Sequence, residues 1–375
     1  MSPASPGWIS TARTALLRSD VNFFQVRPAR YWLDFLVSVT IAYAAATVYL
    51  ESPLFSWPQL VAFPITVFWL YRTGSLIHEV AHLSHFEMRT FKVVWNLVVG
   101  VMTLSPSPFF TRHHRDHHTQ RIYGTPQDPE YVVNIWRRGS WLGLLVYLGM
   151  IALFPIVVFL RFLLVPLTYL HPRLREWTLT RASSMTFNWR YVRKLNDQDR
   201  WSIAAVEWLC WLRAMMIPML VILGVNHWTR LPQLYALGFA ALLLNQLRQL
   251  ADHHFESDGK NLALSDHIQD SCNYTSRDWL TWLFFPFAIR YHALHHLFPT
   301  MPYHNLKAAD AFLMRELPAD SPYRGLDQPR WWSVARKMFQ AQTGRVFVGK
   351  ARIDGAEPTT VAAHPARRVP VESAK

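Results

Sequence analysis

The sequence predicts an all-α integral membrane protein. We expect a helical bundle of about four transmembrane helices, with interfacial helices and a cytoplasmic histidine-rich cap. About half of the 375 residues are apolar, and only 17% are charged, compared with roughly 25% in soluble domains. The 17 histidines are concentrated in short clusters. The mean hydropathy of +0.05 is too low for spans alone, so a sizeable polar part must accompany them.

Four apolar stretches are long enough to cross a bilayer, which takes roughly 20 residues. They form two hairpins: residues 32–50 with 59–77, and residues 203–225 with 231–250. The stretches 91–104 and 279–289 are too short to cross, and we expect both to lie at the membrane surface.

A fifth stretch, residues 141–170, is long but contains Pro155, Arg161 and Pro166. Proline removes helix hydrogen bonds, and an arginine in lipid is costly. We therefore expect this stretch to be interfacial or re-entrant. A six-span protein is the alternative, with residues 141–170 and one short stretch also crossing.

Basic residues indicate the orientation, because they accumulate on the cytoplasmic side. The two hairpin turns hold only Arg230, whereas sixteen basic residues follow position 247. We therefore expect both termini to be cytoplasmic, in what would be a bacterial inner membrane. The expected organisation is a cytoplasmic N-terminal segment, a membrane domain, a cytoplasmic C-terminal segment and a disordered tail: residues 1–30, 31–325, 326–352 and 353–375.

The formal charge of +13 suits nucleic acid or an anionic membrane surface. The apolar stretches favour the membrane, and we expect no nucleic-acid partner. Two cysteines, Cys210 and Cys272, form neither a CxxC site nor a disulfide framework. The first residues lack a short apolar stretch followed by a cleavage site, so we expect no removed signal peptide.

Four histidine clusters are the most informative feature: HEVAH at 78–82, HHRDHH at 113–118, HH at 253–254 and HALHH at 292–296. Spacings of three and four residues place imidazoles on one helix face. The predicted topology brings all four clusters to one side of the membrane. Isolated histidines such as His85 and His267 are expected to be ordinary solvated or hydrogen-bonded side chains.

Neutral imidazole is a ligand for zinc, copper, iron and nickel. Nine candidate ligands exceed what one ion takes, so the clusters predict two ions with four or five nitrogens each. A paired redox metal indicates oxygen activation, with iron favoured. Two alternatives remain: a zinc protease using the HExxH pattern with Glu79 as general base, and a non-enzymatic metal carrier.

HEVAH, HRDHH and HALHH, in this order with spans between them, resemble the three histidine boxes of the membrane fatty acid desaturase and hydroxylase superfamily. RYHALHHLFPTMPYHNL is similar to the third-box region of bacterial members, and NQLRQLADHHFES to the segment that supplies a further histidine. The resemblance covers roughly residues 30 to 325. It implies two non-haem iron ions, O2 as co-substrate, and the ligands His78, His82, His114, His117, His118, His253, His292, His295 and His296.

The resemblance also implies that Gln249 contacts a metal-bound water. The carboxylates of Asp116, Asp128, Asp252 and Glu79 are candidates to orient the ligating imidazoles through their second nitrogen. His113 and His254 are interpreted as neighbours of the ligands.

The implied substrate is a lipid or fatty acyl chain, linked to a lipid, coenzyme A or an acyl carrier protein. We expect introduction of a double bond, with hydroxylation of a lipid, terpenoid or carotenoid as the alternative. Both begin with hydrogen abstraction and differ in substrate placement. The chain lacks an HPGG-type haem segment, so electrons are expected from an external ferredoxin or cytochrome with its reductase.

Overall fold

The structure is a computed structural model that describes residues 7–276 and 278–341. All regular elements of this part are helical, which confirms the predicted fold class. The helices of eight or more residues are α1 (Gly7–Arg18), α2 (Pro28–Glu51), α3 (Trp57–His82), α5 (Pro108–His117), α6 (Trp141–Leu163), α8 (Pro172–Arg181), α9 (Asp197–Ile222), α10 (Arg230–Gln249) and α14 (Tyr303–Glu316). The shorter ones are α4 (Arg89–Trp95), α7 (Val165–Thr168), α11 (Leu264–Asp270), α12 (Trp279–Phe284), α13 (His292–Leu297) and α15 (Trp331–Ala335). The tail predicted at 353–375 lies outside the described residues.

Four helices are long and apolar enough to cross a membrane: α2, α3, α6 and α9. The number matches the prediction, but the membership differs. The stretch expected to be interfacial contains the most apolar helix, α6, which continues through Pro155. Its Arg161 donates to the buried carboxylate of Glu207, which offsets the cost of a charge in lipid.

The helix predicted as the fourth span, α10, has 20 residues but is not among the four most apolar helices. Polar residues at both of its ends lower its hydropathy. It nevertheless runs the height of the bundle. At its start Arg230 pairs with Glu51 at the end of α2, at 2.7 Å, and four residues beyond its end the chain reaches His253.

Both ends of α6 contact the side of the bundle that carries the histidine clusters. Before its start, the amide of Gly139 donates to the carbonyl of Met338. Near its end, the ring of Phe162 packs on Phe109 at 5.1 Å, in the helix that holds the second cluster. Both ends of α6 therefore lie beside segments that neighbour the histidine clusters.

A buried core fixes the position of the first histidine cluster. The α2–α3 hairpin packs along its length, and Trp95 at the end of α4 is fully buried against it. The indole nitrogen of Trp95 donates to the carbonyl of Thr73 at 3.2 Å. A π-helical turn, Asn96–Val101, follows α4 directly. This packing holds the last turns of α3 against the cap.

Candidate metal centre

Nine imidazoles from four distant segments converge beside the bundle, in two adjacent groups. Within each group, one ring nitrogen per residue lies within 4.8 Å of the others. Group A consists of His78, His82, His114, His118 and His295, and group B of His117, His253, His292 and His296. The rings of His118 and His296, one from each group, are 4.1 Å apart between centroids. Each group is able to hold one metal ion.

Helix periodicity explains how the second and third clusters serve both groups. Side chains four residues apart point the same way, whereas a third residue in between is rotated around the axis. At the end of α5, His114 and the capping residue His118 face group A, while His117 faces group B. In α13 the pattern is reversed: His292 and His296 face group B while His295 faces group A.

The ring nitrogens fit metal ligation. In group A, Nε2 of His295 lies 3.1 Å from Nε2 of His82 and 3.2 Å from that of His118. In group B, Nε2 of His292 lies 3.1 Å from Nε2 of His253 and 3.0 Å from that of His296. Several lone pairs facing one point suit a single cation better than a set of N–H donors.

Burial sets the charge state of most of these rings. It lowers the pKa values of His114, His118, His253, His292, His295 and His296 below their usual range. Neighbouring imidazoles add to this effect because two cations so close repel each other. Metal ligation requires neutral imidazole, so burial prepares these side chains for it.

His117 is the exception, because a carboxylate lies beside it. Burial lowers its pKa, but the nearby carboxylates, Asp128 foremost and then Glu130 and Asp252, together outweigh burial and raise the pKa of His117 to about 9. Nδ1 of His117 donates to Oδ1 of Asp128 at 2.8 Å. Asp128 therefore occupies the orienting position that the sequence suggested for it, and it leaves Nε2 of His117 facing group B.

Three further residues that contact the second nitrogen of a ligand ring were not predicted from the sequence. Glu130 accepts from Nδ1 of His114 at 2.7 Å, and the hydroxyl of Tyr123 lies 2.8 Å from Nδ1 of His253. Nε2 of His267 lies 2.9 Å from Nδ1 of His296. Glu130 stands two residues after Asp128, a weak signal, whereas the other two are isolated in the sequence.

Two candidate orienting carboxylates face other partners. Asp116 accepts from the hydroxyl of Tyr191 at 2.7 Å and pairs with Arg112 at 3.2 Å. Asp252 pairs with Arg248, one turn earlier, at 2.5 Å. In both cases an arginine on the same helical face outcompetes an imidazole for the carboxylate.

The carboxylate of Glu79 does not orient a ligating imidazole either. Its carboxylate accepts from the hydroxyl of Tyr31 at 2.8 Å and from the amide of Tyr303 at 3.2 Å. Nδ1 of His78 is 3.6 Å away, too long for a hydrogen bond. Gln249 closes α10 with its side chain half-buried, four residues before His253.

The two histidines interpreted as neighbours belong to neither group. Nδ1 of His113 lies 3.0 Å from the carbonyl of Phe109. His254 turns away to Lys337 at 2.9 Å, and burial lowers its pKa to about 4. Consecutive histidines thus point to opposite sides of the backbone.

Comparisons with known proteins identify the family of the chain. Residues 55–326, which include all nine imidazoles, match the model of the family described as fatty acid desaturase. The chain is 33% identical over 335 residues to a ceramide hydroxylase from Caulobacter vibrioides (strain NA1000 / CB15N), covering 88% of this chain and 94% of that protein. No solved structure matches the chain. On this evidence, the chain belongs to the fatty acid desaturase family.

Proposed function

We propose that this protein is a membrane-bound di-iron oxidase that uses O2 to hydroxylate a ceramide-like lipid. The observation that carries the proposal is the pair of adjacent groups, five and four imidazoles, in a member of this family. The similarity to a ceramide hydroxylase over 94% of that protein supports hydroxylation and the substrate class.

In this proposal the five imidazoles of group A hold one iron ion and the four of group B hold the other. Iron bound there supplies oxygen activation and hydrogen abstraction from an unactivated C–H bond. The residues of the chain position the ions and exclude water. Asp128 and Glu130 hold the rings of His117 and His114, and burial keeps the centre dry.

Desaturation is the second candidate, supported by the description of the family. It shares the first step with hydroxylation and differs in how the substrate carbon is placed. A zinc protease using Glu79 as general base has less support, because Tyr31 and Tyr303 already occupy the Glu79 carboxylate. The additional imidazoles of group A would also have no role in a protease.

The location of the enzyme and the source of its electrons are also part of the proposal. The distribution of basic residues supports a cytoplasmic cap and termini in a bacterial inner membrane. Electrons would come from an external ferredoxin or cytochrome. One oxygen atom enters the lipid and the other leaves as water, which consumes two electrons and two protons for each turnover.

The test is expression in a host of known lipid profile supplied with ceramide, followed by lipid mass spectrometry. Hydroxylation adds one oxygen, whereas desaturation removes two hydrogens. We expect His295→Ala to abolish the product, and His85→Ala, an exposed histidine outside both groups, to keep it. An unchanged lipid profile with active electron donors present would refute the proposal.

A further inference from the structure

The inner end of α10 carries a buried polar cluster that the metal centre does not use. Asn245, Arg248 and Asp252 are spaced by three and four residues, which places them on one face of the helix and its exit. Arg248 is 8% exposed and Asp252 is 4% exposed. Two of the guanidinium nitrogens are engaged: one donates to Asp252 at 2.5 Å, and another to Asn245 at 3.4 Å.

One donor and one acceptor of this cluster lack a partner within the described residues. They are Nε of Arg248 and Oδ1 of Asp252, both shielded from solvent. Leaving a buried charged group with an unmatched hydrogen-bonding atom is costly. A bound molecule that offers an acceptor to Nε of Arg248 and a donor to Oδ1 of Asp252 would satisfy both atoms.

The cluster lies next to group B. Asp252 directly precedes His253, so their Cα atoms are about 3.8 Å apart. The carbonyl of Asp252 also accepts from the amide of Cys272, which ties this turn to the cap. A molecule held by Arg248 and Asp252 would therefore lie next to group B, at the end of α10.

We propose that Arg248 and Asp252 bind the polar head of a sphingoid lipid. Nε–H of Arg248 donates to the amide carbonyl, and Oδ1 of Asp252 accepts from a neighbouring hydroxyl. A ceramide carries this carbonyl and hydroxyl side by side, whereas a simple fatty acyl ester offers acceptors only. The assignment rests on the proposed function, because it adds the means of recognising that substrate.

The test compares two lipids that differ only in donors: a ceramide and its 1,3-di-O-methyl derivative. Competition against a fluorescent ceramide on the purified full-length chain in micelles gives both affinities, without iron or an electron donor. Wild type should bind the ceramide about tenfold tighter, since the derivative leaves the Asp252 oxygen unmatched. Equal affinities of wild type for the two lipids would overturn the assignment.

Asp252→Asn should remove this preference. Its amide oxygen still accepts from Arg248, but its NH2 group donates to a hydroxyl and to an ether alike. Asp116→Asn is the matched control, because Asp116 is another buried carboxylate paired with an arginine four residues earlier, Arg112. The control should keep the tenfold preference, and an Asp252→Asn chain that also keeps it contradicts the proposal.

A second variant covers the case in which Asp252→Asn fails to fold. Arg248→Lys keeps a cation beside Asp252 but lacks the Nε–H donor, so ceramide affinity should fall about tenfold. Unchanged affinity would contradict the assignment.

Different results would refute the proposed function and the proposed binding site. Selective binding without any lipid product refutes the oxidase alone, whereas hydroxylated ceramide from a chain that does not discriminate refutes this site alone.

Discussion

Oδ1 of Asp128 accepts a hydrogen bond from Nδ1 of His117 at 2.8 Å, and both side chains are almost completely buried. The bond fixes the ring so that its other nitrogen faces group B. Removing such a partner commonly lowers metal affinity or activity by about 10- to 100-fold. We expect Asp128→Asn to lose iron from the purified protein, measured by elemental analysis. Asp116→Asn is the control and should keep its iron, since Asp116 faces Tyr191.

Adjacent residues His117 and His118 belong to different groups. Each alanine substitution should therefore weaken one site and leave the other, so that about one iron instead of two remains per chain. The double variant should bind less iron than either single variant. If each single variant loses both irons and the double variant is no worse, the division of the imidazoles into two groups is wrong.

Tyr123 and Tyr131 both donate to Asp270, at 2.7 and 2.9 Å. Only Tyr123 also contacts a proposed ligand, Nδ1 of His253. Tyr123→Phe should therefore weaken iron binding at group B, whereas Tyr131→Phe should lower thermal stability without that loss. Iron titrations of the two variants distinguish them, and equal iron affinities would contradict the proposed role of Tyr123.

Glu207 is fully buried and pairs with Arg161 and Arg175. Removing one partner of a buried ion cluster leaves uncompensated charge and typically costs about 3–5 kcal/mol. Glu207→Leu should lower the midpoint of thermal unfolding strongly. Glu176→Leu breaks the solvent-exposed pair with Arg200 and should shift the midpoint only slightly. Similar shifts for both would argue against the buried cluster as a stabilising contact of α6, α8 and α9.

Asp310 is buried and accepts from the hydroxyl of Tyr323 at 2.7 Å. Burial raises its pKa from 3.8 to about 6. The folded state therefore holds this proton more tightly than the unfolded state, so its contribution to stability is complete below pH 3.8 and is lost as pH rises to 6. The loss is on the order of 3 kcal/mol.

Asp310→Asn removes this titration while keeping an acceptor for Tyr323. The variant should gain thermal stability relative to wild type as pH is raised from 4 to 7. Melting curves of both proteins across this range provide the measurement. A difference between them that does not change with pH would contradict the raised pKa.

The predicted fold class followed from features that depend on local sequence alone. Apolar length marked the helices, because a lipid-facing helix needs apolar side chains on most of its surface. The prediction for α6 was wrong, because Pro155 and Arg161 appeared to rule out a continuous apolar helix of spanning length. The offsetting charge of Glu207 lies 46 residues further along the chain, where no local pattern shows it.

By itself, the sequence determined which imidazoles act together at a spacing of four residues, because such side chains share one helix face: His78 with His82, His114 with His118, and His292 with His296. Imidazoles three residues apart were expected to share that face as well, but they belong to different groups. The sequence did not determine how the nine divide into five and four. That division depends on how α3, α5 and α13 are rotated against one another, which is set by packing. The partners of the rings, Glu130, Tyr123 and His267, were likewise decided by the tertiary structure, because a hydrogen bond across a fold leaves no periodic trace in the chain.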